Sequence, residues 1–400
     1  MDTEEKKFLS ADLVILSSSF LLIFMGAGAF QQFMIPMLSE RLGKTALESS
    51  WILAALYLSF LWWRVACSYT LKWLGDYWSL ILGSLIYTIF PLAVLFTRSY
   101  ALLLVLAIAW GWGAASIWIS ASTRVLDSSS SKKYGISSGT FYTAAQLGQA
   151  IGVILLERII RTGGENGMLF WVFLITAAGN AMLFMLPAKT VVREQPKLAK
   201  VFGVLKSGRN KAVAFMQFAS SFGFGVMMSS FADMVRSYYG ILLVGTATIW
   251  FYVVRLFSSS FLGWLSDRWG RERILFLGFL LSAVGFTVVV FNHSLPAMYL
   301  AAGLLGFQFG TVPVAVMAMI GDETKPEERH LVFGGMFLWR DLGVAVAIIS
   351  GMYINAFTRN YSVSFAIFAA LFFVCAFLAL RMKALPRKDS ATVTTSATRR

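Results

Sequence analysis

The chain has 400 residues, of which 58% are hydrophobic and only 14% are charged, and its formal net charge is +14. Soluble globular chains carry roughly 25% charged residues, so the composition excludes a soluble protein and predicts many membrane spans. The two cysteines, Cys67 and Cys375, both lie inside apolar runs. Neither a disulfide framework nor a thiolate metal site is therefore expected.

Twelve apolar runs follow one another along the chain, and a bilayer-spanning helix needs about 20 such residues. The runs cover 13–38, 49–69, 79–97, 101–122, 137–160, 168–188, 212–236, 244–264, 273–292, 296–320, 332–356 and 362–382. We predict an all-α integral membrane protein with twelve transmembrane helices in two pseudo-symmetric six-helix bundles. The predicted units are an N-terminal half at 1–188, a linker at 189–211, a C-terminal half at 212–382 and a disordered tail at 383–400.

The positive charge is distributed unevenly between the two sides of the predicted membrane. Of the 34 lysines and arginines, 24 lie in the two termini, the linker and the loops on that side, whereas six lie in the opposite loops. Cytoplasmic segments accumulate Lys and Arg. This pattern predicts cytoplasmic N- and C-termini in a multi-pass protein of the cell (plasma or inner) membrane. It also explains the net charge through topology, without nucleic acid as a partner.

The two halves of the chain repeat one another. A shift of 191 residues aligns Arg64 with Arg255 and Asp76 with Asp267. If the first copy is shortened by four residues, a shift of 195 then aligns Gly83 with Gly278, Gly111 with Gly306 and Leu147-Gly148 with Leu342-Gly343. Parallel repeats of this kind place a binding site between the halves, near the bilayer midplane.

A short basic hairpin, FLGWLSDRWGRER at 261–273, joins the eighth and ninth runs. Its pattern resembles the loop signature of the major facilitator superfamily of transporters, carried by Gly263, Asp267, Arg268, Gly270 and Arg271. The resemblance covers roughly residues 10–385 and implies transport of a small solute by alternating access.

In that family this acid and its arginines tie together the cytoplasmic ends of helices from opposite halves. The resemblance therefore implies that the hairpin residues form a conformational latch. Asp76, in the weaker first copy LKWLGDYWS, is expected to contribute a second latch.

Arginines inside the apolar runs are the first candidates for a binding site, because an ion near the bilayer centre costs at least a few kcal/mol. Arg255 lies about midway along the eighth run, and Arg64 lies in the second. Guanidinium groups grip carboxylate, nitrate or phosphate oxygens bidentately, and the nitrate carriers of the superfamily place arginines on the same two helices. The alternative is a structural role, with backbone carbonyls or a neighbouring acid holding each arginine.

Arg340 and Asp341 lie together in the eleventh run. Adjacent residues project about 100° apart on a helix, so they need not pair with one another. We predict Asp341 as a proton-carrying acid and Arg340 as a third anion ligand. The alternative is a structural ion pair among Arg255, Arg340 and Asp341.

Three further polar residues in the apolar runs complete the predicted site. Asp233, towards the outer end of the seventh run, is a second proton-coupling candidate, with a gating charge as the alternative. Gln32 and Gln146 can donate uncharged hydrogen bonds to a substrate, or else join helices to one another.

The sequence thus predicts a monomeric secondary transporter in the lipid bilayer that moves a small organic or inorganic anion, coupled to protons or to a counter-solute. One alternative is drug or lipid efflux, which the aromatic-rich runs favour, and another is a non-transporting receptor. No enzyme, cofactor or metal site is predicted, because the sequence has no clustered catalytic set and no phosphate-cradling loop.

Overall fold

The computed structural model describes residues 10–128, 134–188, 208–323 and 329–382, although the side chains of some helical stretches, including 259–268 and 313–337, lie outside this description. The linker at 189–207 and the tail at 383–400 also lie outside it. All long elements among the described residues are helices. In chain order they are Ala11–Ile23 with Met34–Leu42 (together α1), Ala46–Phe96 (α2 and α3), Tyr100–Asp127 (α4), Tyr134–Leu183 (α5 and α6), Gly208–Val226 with Ala232–Tyr239 (α7), Val244–Trp269 (α8), Arg271–Phe291 (α9), Leu295–Glu323 (α10), Arg329–Thr358 (α11) and Tyr361–Arg381 (α12).

Eleven helical segments of the described chain are long and apolar enough to cross a membrane. One of them, Gly139–Leu183, has 45 residues and is about 67 Å long at 1.5 Å per residue. The hydrocarbon core is only about 30 Å thick. The segment breaks at Gly164, so it crosses twice, as α5 and α6, and the predicted twelve transmembrane helices are confirmed.

The helices run alternately between two ends of the molecule. We call the end that carries the 189–211 segment the linker end. The opposite end, which we call the far end, carries the connections at 43–45, 97–99, 240–243, 292–294 and 359–360. Across the boundary between the halves, α2 packs on α11 and α5 packs on α8.

The backbone confirms the internal repeat through residues with positive φ. Gly75 ends α2 with φ +70° and Gly270 ends α8 with φ +90°, and they lie 195 positions apart. Such backbone angles favour glycine, because it has no Cβ to clash. At the far end Gly164 (φ +65°) and Arg359 (φ +52°) are separated by the same 195 positions.

This spacing corrects the alignment of the first hairpin. With the turns matched at Gly75 and Gly270, Asp76 opens α3 whereas Asp267 lies within α8. The two acids are therefore not counterparts, and the predicted four-residue shortening is wrong. The 191-residue shift aligns identical residues over a short segment. The turn between the helices requires only a glycine at the same position in both halves, and this is met by Gly75 and Gly270.

Close helix contacts follow the same spacing. A Cβ at Gly148 in α5 would overlap the carbonyl oxygen of Leu21 in α1. A Cβ at Gly343, 195 positions later in α11, would likewise overlap the carbonyl oxygen of Phe218 in α7. The same small residues thus hold equivalent helix pairs together in both halves.

Helices α1 and α7 each contain a π-helical turn, at Phe24–Gly28 and Met227–Phe231 respectively. A π-turn widens the helix and changes the hydrogen bonding of its carbonyls, and such turns are frequent at functional sites. Here the first turn brings Phe24 to a central cavity. The second presents the Met227 carbonyl oxygen to the opposite half.

Candidate functional site

A cavity of about 120 Å³ lies between the halves, halfway along the helices. Its walls are mainly aromatic, with a few amides and charges. The lining residues come from α1–α5 of one half and from α7, α8, α10 and α11 of the other: Phe24, Gln31, Leu56, Tyr57, Phe60, Tyr87, Ala114, Trp118, Gln149, Phe224, Arg255, Phe309, Arg340, Asp341 and Val344.

Arg255 projects into this cavity from α8. It lies eleven residues after Val244, about 16 Å along the helix, so its side chain cannot reach water at either end of the helix. Its guanidinium carbon lies 4.6 Å from the ring centre of Phe309 and 5.9 Å from that of Phe224. The two rings stack on one another at 4.7 Å. Within the described part of the chain no carboxylate forms an ion pair with Arg255.

Asp341 is the centre of an ionic cluster beside the same cavity. Its carboxylate accepts a short hydrogen bond from Nε of Arg64 and a second one, 3.0 Å long, from Nε of Arg340. The Asp341 side chain is 1% exposed. Because Arg64 belongs to α2 and Asp341 to α11, this ion pair joins the two halves. Adjacent Arg340 and Asp341 do pair, and the third member of the cluster is Arg64 rather than Arg255.

The cavity walls correspond to one another but carry different chemistry. Three pairs of lining positions are separated by 195 residues: Phe60 and Arg255, Ala114 and Phe309, and Gln149 and Val344. The cavity therefore lies on the pseudo-symmetry axis. All its charged lining residues belong to the C-terminal half, whereas the N-terminal wall is aromatic and amide-rich.

When the halves are aligned at Gly75 and Gly270, the position of Arg64 relative to Arg255 shifts by one helical turn. The N-terminal counterpart of Arg255 is Phe60, and Arg64 lies four residues further towards the linker end. Its guanidinium carbon stacks 4.5 Å from the Phe60 ring centre, and its side chain reaches Asp341. The two arginines thus approach the site at different depths instead of facing one another.

The predicted amide ligands lie outside the cavity lining. Gln32 is fully buried between the halves, where it donates to the Met227 carbonyl oxygen at 2.8 Å and accepts from the Tyr252 hydroxyl at 2.9 Å. Gln32 therefore joins the two halves through hydrogen bonds. Gln146 is the counterpart of Asp341, 195 positions earlier, and its Oε1 atom is buried without a hydrogen-bond partner among the described residues.

Asp233 belongs to a separate polar group at the far end. Its carboxylate accepts hydrogen bonds from Arg236 at 3.0 Å and from the Tyr361 hydroxyl at 2.7 Å. Arg236 also contacts Glu40 of the other half at 3.4 Å. Asp233 is therefore placed as an interface residue, away from the cavity that holds Asp341.

A second contact between the halves at the far end involves Glu157, which was not among the predicted site residues. The buried Glu157 carboxylate in α5 accepts from the backbone N–H and, at 2.6 Å, from the hydroxyl of Thr246, in the first turn of α8. An anion is stabilised at a helix N-terminus. Arg161 donates to Glu157 at 3.0 Å and to the Leu242 carbonyl oxygen at 2.7 Å. We call Glu157, Arg161, Leu242 and Thr246 the far-end latch.

The signal for this latch is visible in the sequence only as two charges four residues apart near the end of the fifth run. Their partners are a backbone N–H group and a backbone carbonyl, which no residue identity reveals.

Most of the predicted linker-end latch lies outside the residues whose side chains the structure describes, because Gly263, Asp267 and Arg268 fall within 259–268. Gly270 forms the turn and Arg271 begins α9. Asp76 is 4% exposed at the start of α3. The latch role of these residues stays a prediction.

Comparison with known proteins places this architecture in a family. The family model described as Major Facilitator Superfamily matches residues 16–210 and 213–399. The chain belongs to the Major Facilitator Superfamily. The fold and family predicted from the hairpin and the twelve runs are thus confirmed.

Relatives within the superfamily include efflux proteins. The chain is 25% identical over 256 residues to a multi-drug resistance efflux pump PmrA homolog of Lactococcus lactis subsp. lactis (strain IL1403), covering 60% of this chain and 62% of that protein. It is 27% identical over 148 residues to the class B tetracycline resistance protein of Escherichia coli, covering 37% of this chain and 34% of that protein. Both matches span less than two thirds of the relative's length.

Solved structures of the superfamily share the fold along nearly the whole chain. The nucleoside transporter NupG superposes with a TM-score of 0.76 at 11% identity, over 94% of this chain and 99% of that one. An inward-facing bacterial homolog of the human lysosomal transporter Spinster gives a TM-score of 0.72 at 13% identity, over 96% and 98%. At such low identities the likeness concerns the fold alone.

Proposed function

We propose that this superfamily transporter moves a small anion by alternating access, with Arg255 as the principal ligand of the anion. The observation that carries the proposal is the place of Arg255: a cation in the central cavity with two phenylalanine rings, and no acid among the described residues, as partners. Drug or lipid efflux is the second candidate.

The energetics favour an anionic ligand at this place. Holding a charge near the centre of the membrane costs at least a few kcal/mol, and a cation–π contact returns only about 0.5–2 kcal/mol. Arg255 brings an excess positive charge to the cavity, because no carboxylate among the described residues forms an ion pair with it. An incoming carboxylate or phosphate oxygen offsets this excess through charge-assisted hydrogen bonds.

The ion pair between Arg64 and Asp341 offers a means of coupling. This ion pair joins the two halves next to the cavity, and it lies closer to the linker end than the far-end latch does. An anion that draws Arg64 away from Asp341, or a proton that neutralises Asp341, weakens this cross-link and frees the halves to rock. Proton coupling through Asp341 therefore remains our proposal, and exchange against a counter-solute is the alternative.

The test is uptake of radiolabelled nitrate, phosphate, acetate and benzoate into proteoliposomes, with and without a pH gradient. We expect Arg255→Ala to lower transport at least about tenfold, because a hydrogen bond to a charged group contributes about 1.5–3 kcal/mol. Arg255→Lys keeps the charge but loses the bidentate fork, so it should recover only part of the activity. Arg158→Ala, an exposed arginine on α5, is the matched control. Unchanged affinity in Arg255→Ala contradicts the proposal.

Asp341→Asn tests whether Asp341 carries the coupling proton. Asp341→Asn keeps the size of the side chain but cannot carry a proton, so we expect pH-driven accumulation to fail while exchange of the same solute persists. Full pH-driven accumulation by Asp341→Asn contradicts proton coupling through this residue and leaves anion binding by Arg255 untouched.

Efflux of amphipathic drugs rests on a different observation. Seven aromatic side chains line the cavity, and two relatives are a multi-drug resistance efflux pump homolog and a tetracycline resistance protein. Cationic dyes in the same proteoliposomes distinguish the two candidates. Arg255-dependent transport of anions with no transport of dyes supports the first candidate, and the reverse supports efflux. Binding of either class without transport favours a receptor.

A further inference from the structure

The two walls of the cavity differ in shape as well as in charge. On the C-terminal wall, Phe309 stacks on Phe224 and fills the space beside Arg255. The counterpart of Phe309 on the N-terminal wall, 195 positions earlier, is Ala114. A methyl group therefore occupies the place where the opposite wall carries a ring. This leaves room in the cavity beside Ala114 that no ring from position 114 takes up.

Aromatic side chains surround that room. Trp118 meets Phe24 edge-on, with ring centres 5.1 Å apart, and Phe24 lies 6.2 Å from Tyr87. All three line the cavity, as does Phe60. Aromatic rings prefer offset or edge-to-face neighbours at such separations, so these side chains form a partial cage that one more ring completes.

The size of the cavity agrees with a single ring. At about 120 Å³ it is comparable to an engineered apolar cavity of about 150 Å³ that binds benzene. A bare inorganic anion would leave the aromatic wall without contacts. The charged C-terminal wall and the aromatic N-terminal wall face the same small cavity, so one compact molecule must contact both walls.

We infer that the transported solute is an organic anion with one flat ring next to its charged group, and that Ala114 sets the size of ring that the site accepts. In this arrangement the carboxylate contacts Arg255 and the ring lies over Ala114 against Phe24 and Trp118. The inference rests on the proposed function, since it names the substrate class of the same cavity.

The experiment measures equilibrium binding of benzoate, cyclohexanecarboxylate and acetate to the full-length protein in lipid nanodiscs by titration calorimetry. We expect benzoate to bind at least about tenfold more tightly than acetate, because the ring removes apolar surface from water. We also expect it to bind more tightly than cyclohexanecarboxylate, which has a similar size but no flat face. Arg158→Ala should bind all three as the unmodified protein does.

A size series at position 114 tests the specificity role. From Ala114→Gly through Ala114→Val to Ala114→Leu, the ratio of the benzoate and acetate association constants should fall, by about tenfold or more at leucine, because a larger side chain at 114 fills the space that the ring would occupy. Phe309→Ala opens the opposite wall and should allow 2-naphthoate to bind. This second variant tests the same idea if the leucine variant does not fold.

The outcomes separate the two proposals. If acetate or cyclohexanecarboxylate binds as tightly as benzoate, the ring inference is wrong while anion binding by Arg255 stands. If the ratio does not change with side-chain size at 114 and Phe309→Ala still excludes 2-naphthoate, the role of Ala114 is wrong. If no anion binds in a manner that depends on Arg255, the proposed function itself is wrong.

Discussion

At the scale of single residues, Asp341 holds more of the site together than any other side chain described. It pairs with Arg64 from the other half and with its neighbour Arg340, and it lies beside the cavity that contains Arg255. Removing one partner of a buried ion pair leaves an uncompensated charge, which costs far more than replacing the whole pair with apolar groups.

We therefore predict that Asp341→Leu lowers the free energy of unfolding by about 3 kcal/mol. The double variant Arg64→Met/Asp341→Leu should recover at least half of that loss, because it no longer holds the buried charge of Arg64 opposite an apolar side chain. Thermal denaturation in detergent measures both. Strictly additive losses in the double variant would show that the two residues do not act as a pair.

At the scale of helices, close packing at small residues fixes the geometry that the cavity needs. In α5, Gly148 meets the backbone of α1, and the next residue, Gln149, lines the cavity. A shift of α5 against α1 therefore changes the shape of the cavity directly.

We predict that Gly148→Ala destabilises the protein by about 1–3 kcal/mol, because its Cβ overlaps the backbone of Leu21. Gly139→Ala in the same helix is the matched control, since nothing lies within 4 Å of its Cβ. It should be neutral or stabilising by up to about 1 kcal/mol through helix propensity. Equal effects of the two substitutions on the melting temperature would contradict the packing explanation.

The far-end latch is the second prediction at this scale. A hydrogen bond to a charged group contributes about 1.5–3 kcal/mol, so Glu157→Ala should shift the equilibrium towards far-end opening at least about tenfold. Spin labels on Thr162 and Leu242, in a protein with Cys67 and Cys375 replaced by serine, report the separation of the halves by pulsed electron paramagnetic resonance. The neighbouring Arg158→Ala is the control, and an unchanged distance distribution in Glu157→Ala would refute the latch.

At the scale of the whole molecule, the charge distribution gives the two ends different environments. Because cytoplasmic loops gather Lys and Arg, we predict that the linker end is cytoplasmic. A single cysteine introduced at Thr162 should react with a membrane-impermeant maleimide added outside intact cells. One at Ser207 in the linker should react only after the cells are opened. The opposite labelling pattern reverses the orientation.

Much of this whole-molecule arrangement could be predicted from the sequence. Apolar run lengths determine the helix count, and charges within those runs indicate Arg255, Arg340 and Asp341, because an ion in a membrane span needs a particular partner. The hairpin signature identified the superfamily, which the family match along the chain confirms.

Other features depend on the assembled backbone. The pairing of Asp341 with Arg64 joins residues 277 positions apart, and periodicity does not specify such a partner. The sequence leaves open whether Gln32 binds substrate or joins helices, and only the fold reveals its contact with the Met227 carbonyl oxygen in the π-turn of α7. The role that we propose for Ala114 emerges only when the two walls are compared at a spacing of 195 residues.

The unequal walls have a consequence for how new specificities arise. In the proposed site the C-terminal half binds the charged group of the solute, and the N-terminal half sets the shape that the rest of the solute must fit. Because these duties lie on separate helices, changes on α4 can alter which compounds enter without loosening the hold on their charge. A mutant library restricted to the N-terminal wall is therefore the economical starting point for redirecting this transporter to new cargo.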